Sequence, residues 1–186
     1  PDWDGYSEDI KTDIKKLECL WYTLASYGIT YAHPPQGELD RNNGIFQKIR
    51  TPSQIIQGGC ATCLDSTMLM AAVTAQADYH PVVITIPGHA FIGILLKDNW
   101  LKSPVVTSIS YLRNLVELGE MLVLETTCLT INEKNEIVDF DTAKATAENH
   151  LKNADKLSFG AFDIRQIWKM GIKPICTQQE DCTPAA

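Results

Sequence analysis

The stretch Gly58–Asp65, GGCATCLD, sets two cysteines at C-x-x-C spacing in front of an apolar helical pattern. Thr62-Cys63-Leu64-Asp65 has the form of a capping box: Thr62 is the N-cap, and an acidic residue at N3 reaches back to its amide. Cys63 is then the first residue of a helix that Leu64, Met68, Ala71, Ala72 and Ala75 carry to about Ala77. At that position unpaired N–H groups and the positive end of the helix dipole favour a thiolate. Gly58 and Gly59 let the backbone approach closely and leave the thiol accessible. Cys60 lies in the glycine-rich loop without such support.

Three chemistries compete for this pair. A redox dithiol expects C-x-x-C after a strand in a βαβ unit, whereas TPSQIIQGG (51–59) reads as a short helix from Ser53 ended by two glycines. A zinc site needs two more ligands at metal spacing, and neither a second C-x-x-C nor an H-x-x-x-H is present. A nucleophile needs a base. His89, directly after Pro87-Gly88 and opening HAFIGILL (89–96), is held stiffly at a strand start with one face open, which suits a general base for a thiol. The plain alternative is a half-buried strand histidine bonded to backbone.

A Cys–His pair usually has a third polar group that fixes the imidazole. MLVLETT (121–127) supplies Glu125, a lone carboxylate in an apolar run that would be costly to bury unpaired. An exposed strand residue, or a partner of a nearby arginine, is the competing reading. His33 and His80, each beside a proline, read as solvent-facing or structural. His150 sits late in a helix, where its charge complements the dipole.

Outward from the site, 186 residues suffice for one domain with a substantial core. A composition 45% apolar and 21% charged is ordinary for a globular chain. The net charge of −7 argues against nucleic-acid binding, and no apolar run approaches the ~18 residues of a membrane helix. PDWDGYSED (1–9) has neither the basic start nor the apolar core of a signal peptide. An opening residue other than Met makes an excised domain or processed product the expectation. Cys19 and Cys128 read as small buried hydrophobes. Cys176 and Cys182 are the pair to oxidise if the compartment permits. The composition favours a reducing, cytoplasmic one.

SEDIKTDIKKLECLWYTLASYG (7–28) has the period of an amphipathic helix over 8–27, with Ser7 as N-cap and Gly28 as C-cap. AHPPQGELDRNNG (32–44) is a loop. PVVITIP (81–87) and HAFIGILL form a hairpin. A helix follows over 108–118, then a third strand at MLVLETTCLT (121–130), then a helix capped by Asp141 or Thr142. FGAFDIRQIWKMGIKPI (159–175) is mixed. Helices first, then a cluster of antiparallel strands, is an α+β order, with one domain over 1–175 and a tail over 176–186.

Taken together, FQKIRTPSQIIQGGCATCLDSTMLMAAV, HPVVITIPGHAFIGILL, LVLETTCLT and AFDIRQIWKMGIKPI resemble bacterial transglutaminase-like cysteine peptidase domains. These belong to the broader papain-like group and also occur beside helicase modules. The resemblance runs from about Trp21 to Pro174 and is sharpest at G-x-x-x-C-L-D with G-H-A-F some 25 residues on. It implies a nucleophile helix packed on an antiparallel sheet, with Cys63 as nucleophile, His89 as its base and Glu125 as the orienting acid. Gln47, sixteen residues before Cys63, maps to an oxyanion-stabilising position, with a surface glutamine as the alternative. Arg50 and Asp65 are an expected ion pair, Asp65 as helix cap being the simpler reading.

The expected activity is a cysteine peptidase or amidase acting on a protein or peptide substrate, without metal or organic cofactor, membrane or direct nucleic-acid partner. Transglutaminase or deamidase chemistry is the alternative, as in a secreted effector or toxin domain. A non-catalytic module binding a partner or other domains of a longer chain is the rival class. Cys60, close to Cys63, allows oxidative inactivation through a disulfide.

Overall fold

The computed structural model describes residues 9–33, 38–39, 45–46, 48–97, 99–131, 134, 136–154 and 159–174. Helix α1 (Ile10–Ala25) is capped by Asp9, whose carboxylate accepts from the Lys11 N–H. It is shorter than the expected 8–27 and Ser7 lies outside the described residues. Its C-cap is Ser26, with Gly28 at φ +64° two residues on. Asp13, Leu17, Trp21, Leu24 and Ala25 form its buried face. Cys19 points the other way and is exposed, correcting the expectation that it is buried: two residues from Leu17 is half a turn round a helix.

Short strands follow. β1 (Thr30–Tyr31) pairs in parallel with β4 (Cys60–Ala61), and β2 (Glu38–Leu39) pairs antiparallel with β3 (Ile45–Phe46). Between them α2 (Pro52–Gly58) starts from Thr51 rather than Ser53, through a capping box with Gln54 and with Pro52 in the first turn. Gly59 closes it at φ +63°, a conformation that favours glycine. Helix α3 (Cys63–Gln76) begins where the capping box places it, with Thr62 as N-cap.

Strands β5 (His80–Ile86) and β6 (His89–Leu95) form the expected hairpin, joined by Pro87 and by Gly88 at φ +72°. β7 (Val105–Val106), helix α4 (Ile109–Glu117) and β8 (Met121–Leu124) come next. β8 ends one residue before Glu125, so the strand predicted to 130 is cut short. Glu125 caps a 3-10 turn, Thr126–Leu129, by accepting from the Thr127 N–H. Helix α5 (Phe140–Asn153) is capped by Asp139, not Asp141 or Thr142, because the Asp139 carboxylate receives both the N–H and the hydroxyl of Thr142. The segment read as mixed resolves into β9 (Gly160–Asp163) and helix α6 (Ile164–Lys169).

The protein is α+β: a five-stranded antiparallel sheet in the order β7-β9-β5-β6-β8, with helices on both faces. Alternation along the strands divides the core. Val83, Ile92, Ile94, Leu122 and Leu124 pack with Trp21, Leu69 and Met70 of α1 and α3. Val82, Ile84, Phe91, Met121 and Val123 pack with Leu112 of α4 and Leu151 of α5. Both faces are dry, which explains why β5 and β6 read as continuous apolar runs. Among the described residues no helix is long and apolar enough to cross a membrane.

Candidate active site

The position of Cys63 is built by its own helix. Thr62 Oγ1 accepts from the Asp65 N–H at 3.2 Å, and Asp65 Oδ2 accepts from the Thr62 N–H at 3.0 Å. The same carboxylate, wholly buried, accepts from the Arg50 N–H and from Arg50 Nη1, each at 2.7 Å. Asp65 is therefore both cap and ion-pair partner. Burial pushes its carboxyl up, but the hydrogen bonds from Arg50 and Thr62 outweigh that and hold it below the usual carboxylate range. One turn into α3, the Thr67 hydroxyl bonds to the Cys63 carbonyl and to Thr126 Oγ1, each at 2.7 Å. That contact ties the nucleophile turn to the segment holding Glu125.

His89 opens β6 beside the N-terminus of α3, because α3 packs across β5 and β6. Its Nε2 stands 2.7 Å from Glu125 Oε2, and its ring is near enough to the Cys63 thiol for each group to shift the other's pKa. With Nε2 committed to the carboxylate, Nδ1 is the ring nitrogen left to exchange a proton with Cys63. Glu125 is 2% exposed, and its other oxygen accepts from Thr127 N–H at 2.9 Å and Thr127 Oγ1 at 2.8 Å. Its own N–H bonds to the Ala143 carbonyl of α5 at 3.0 Å. The structure thus brings Cys63, His89 and Glu125 into one cluster. Gln47 lies outside the described residues.

The electrostatics follow from that cluster. The hydrogen bond from His89 draws the Cys63 thiol below its ordinary pKa against the opposing effect of burial, helped by the N–H groups of Ala90 and Leu64. Cys63 and then Glu125 push the His89 imidazole up to about 10. Burial raises Glu125, but hydrogen bonds from His89 and Thr127 hold it low. The resting state these shifts favour is a thiolate–imidazolium pair backed by a carboxylate. Cys128 is the contrast: burial and the charges of Glu125 and Asp139 push its thiol up to about 11, leaving it inert.

Two neighbours escape the sequence reading. His150, assigned to the dipole of α5, instead turns inward. Its Nε2 is 3.0 Å from Glu125 Oε2, and its ring lies 5.1 Å from that of His89 and 5.7 Å from that of Phe91. The signal was in the spacing: Phe140, Ala143, Ala147 and Leu151 are buried, and position 150 falls on their side of the helix. Tyr31 stands beside the site through the β1–β4 pairing. Its phenol is pushed up by burial and by the charges of Cys63 and Glu125. A two-residue strand carries no period from which that could be read. His80 is structural, buried with Nδ1 2.6 Å from the Asn99 carbonyl, and His33 is exposed with its ring edge-on to Tyr31.

Among the described residues, His89, Glu125 and His150 also converge enough to be tested as a metal site, their ligand atoms all lying within 4.8 Å. Two histidines and a carboxylate are a donor set used by zinc. The 2.7 Å between His89 Nε2 and Glu125 Oε2, however, is a proton-sharing distance, shorter than the ~3.3 Å separating two ligands of one tetrahedral ion. The arrangement fits a proton relay better. No family model, curated protein or solved structure matches the chain in comparisons with each.

Proposed function

We propose that this protein is a thiol-dependent acyl-transfer enzyme of papain-like or transglutaminase-like design, a cysteine peptidase or amidase acting on a peptide or carboxamide bond. The observation that carries the reading is the His89 imidazole bonded at 2.7 Å to a buried Glu125, with the Cys63 thiol near enough for thiol and imidazole to shift each other's pKa. A cysteine at the first residue of a helix, lying against the first residue of a sheet strand, is the core that such chemistry requires. The resemblance to that family rests on the same residues.

In this mechanism Cys63 Sγ attacks the carbonyl carbon, forming a C–S bond and placing the carbonyl electron pair on oxygen. The Cys63 N–H, in the first turn of α3 where no intrahelical acceptor exists, is aimed to receive that oxyanion. Collapse breaks the C–N bond, and His89 Nδ1–H protonates the departing amine. Water then attacks the thioester, giving its proton to His89, and the carboxylic acid leaves as the thiol reforms. Glu125 keeps the imidazole oriented and stabilises its charged form throughout. His89 is 22% exposed, so water reaches the group that would activate it for hydrolysis.

The test is thiol labelling with iodoacetamide near neutral pH, followed by mapping of the modified peptide. Cys63→Ala is expected to abolish fast labelling and Cys60→Ala to leave it. Equal labelling through Cys60, or a wild-type Cys63 with the pH profile of an ordinary thiol, overturns the assignment and favours a binding module. With active protein, comparing host proteins cleaved or deamidated by wild type and by Cys63→Ala identifies the substrate.

A further inference from the structure

His150 is not required by the Cys–His–acid scheme, yet it occupies a defined place in the site. Glu125 is nearly inaccessible, while His89 and His150 are 22% and 33% exposed, so the two imidazoles are what stand over its Oε2 edge. His89 is aligned for a hydrogen bond to that oxygen, and His150 contacts it at 3.0 Å from a second direction. The His150 ring is tilted 56° against the ring of His89, and both lie against Phe91, which is fully buried.

Helix α5 is itself fastened where this contact is made. Arg113 of α4 donates from Nε to the Leu151 carbonyl at 2.8 Å and from Nη2 to the Lys152 carbonyl at 2.9 Å, closing the last turn of α5 around position 150. Two turns earlier, the Ala143 carbonyl accepts the Glu125 N–H. One helix therefore grips Glu125 twice, at the backbone through Ala143 and at the carboxylate through His150.

We propose that His150 is a positioning residue: its contact with Glu125 Oε2 and its ring against His89 hold the carboxylate–imidazole pair in place beside Cys63. This rests on the reading of Cys63, His89 and Glu125 as the reacting set. The titratable groups around Glu125 are His89 on β6, His150 on α5, Cys128 in the 3-10 turn, Cys63 on α3 and Tyr31 on β1. Cys128, held up to about 11, stays a neutral thiol through the range that matters. Without His150 the carboxylate gains rotational freedom and supports the imidazolium less well. The thiolate then becomes harder to form.

The test needs no substrate. The rate of Cys63 alkylation by iodoacetamide is measured from pH 4 to 10 for wild type, His150→Ala and His150→Gln, the last keeping an N–H donor at similar reach. His150→Ala is expected to move the acid limb upward and slow alkylation on the acid side about tenfold. His150→Gln is expected to stay within about threefold of wild type. An unchanged acid limb in His150→Ala, or equal effects in Ala and Gln, overturns the proposal while leaving the nucleophile assignment standing. An ordinary thiol profile already in wild type defeats that assignment instead. His150 is one-third exposed and a single side chain, so circular dichroism is expected to show both variants folded.

Discussion

Glu125 is a buried acid bound on both oxygens. Oε1 takes two donors from Thr127, Oε2 takes His89 and is touched by His150. A glutamine there has one oxygen and one NH2 group, so one face must set donor against donor. If the amide nitrogen turns to Thr127 it meets a backbone N–H that cannot rotate away. If it turns to His89 it reverses the tautomer and removes the proton donor aimed at the carboxylate. Glu125→Gln is therefore expected to lower kcat by about a hundredfold to ten-thousandfold with KM little changed, and to raise the acid limb of Cys63 alkylation. A loss under threefold with an unmoved limb would show that the carboxylate is only structural.

At the scale of elements, the site depends on where α3 begins. Asp65 accepts from the Thr62 N–H and from two donors of Arg50, all within the buried base of the helix. Asp65→Asn must turn an NH2 toward one of these donors and also loses the charge that Arg50 faces. Losing charge-assisted hydrogen bonds of this kind is expected to cost about 2–3 kcal/mol, or about 5–10 °C in Tm for a chain this size, read by thermal unfolding. A drop below about 2 °C would refute the role given to Asp65. This helix start was legible in sequence because a capping box is complete within four residues. So was the β5–β6 hairpin, punctuated by Pro87-Gly88. What sequence missed was long-range or aperiodic: β8 stops at Leu124 because Glu125 caps a 3-10 turn, although the β-branched Thr126 and Thr127 that follow suit a strand. Tyr31 reaches the site through a strand partner some thirty residues away. His150 does lie in the last turn of its helix, as expected, but its contact with Glu125 was missed because its register with the buried face was not weighed. Cys63, His89 and Glu125 stood out because each is a reactive or charged side chain in a segment otherwise apolar or glycine-rich.

For the whole molecule, the Cys63–His89 pair makes stability depend on pH in a way that can be worked out from proton counts. His89 is raised from 6.5 to about 10, so its contribution is full below 6.5 and is lost as pH climbs through about 10. Cys63 is lowered from 9.0, so its contribution is full above 9.0 and is lost as pH falls through its folded value. Below 9.0, where the folded thiol is ionised and the unfolded imidazole neutral, the folded pair holds one proton, on the imidazole, and the unfolded chain also holds one, on the thiol. The pair therefore adds no slope there. Above 9.0 the unfolded chain has released its proton and the folded pair keeps one, so stability falls by up to about 1.4 kcal/mol per pH unit until His89 titrates. Below 6.5 the unfolded chain holds two protons, and stability falls on acidification for as long as the folded thiol stays ionised. Glu125 and Asp65, both held low, add to the acid-side loss as they protonate. Urea midpoints are thus expected to be lower at pH 10 than at pH 8.5. Cys63→Ser removes the partner that raises His89 most, so its midpoint should fall less between pH 8.5 and 10 than that of wild type. Groups that do not sense Cys63 cancel in the comparison, and Tyr31, raised in part by the Cys63 charge, adds a difference of the same sign. Identical alkaline losses in the two would mean that no thiolate–imidazolium pair exists in the folded protein.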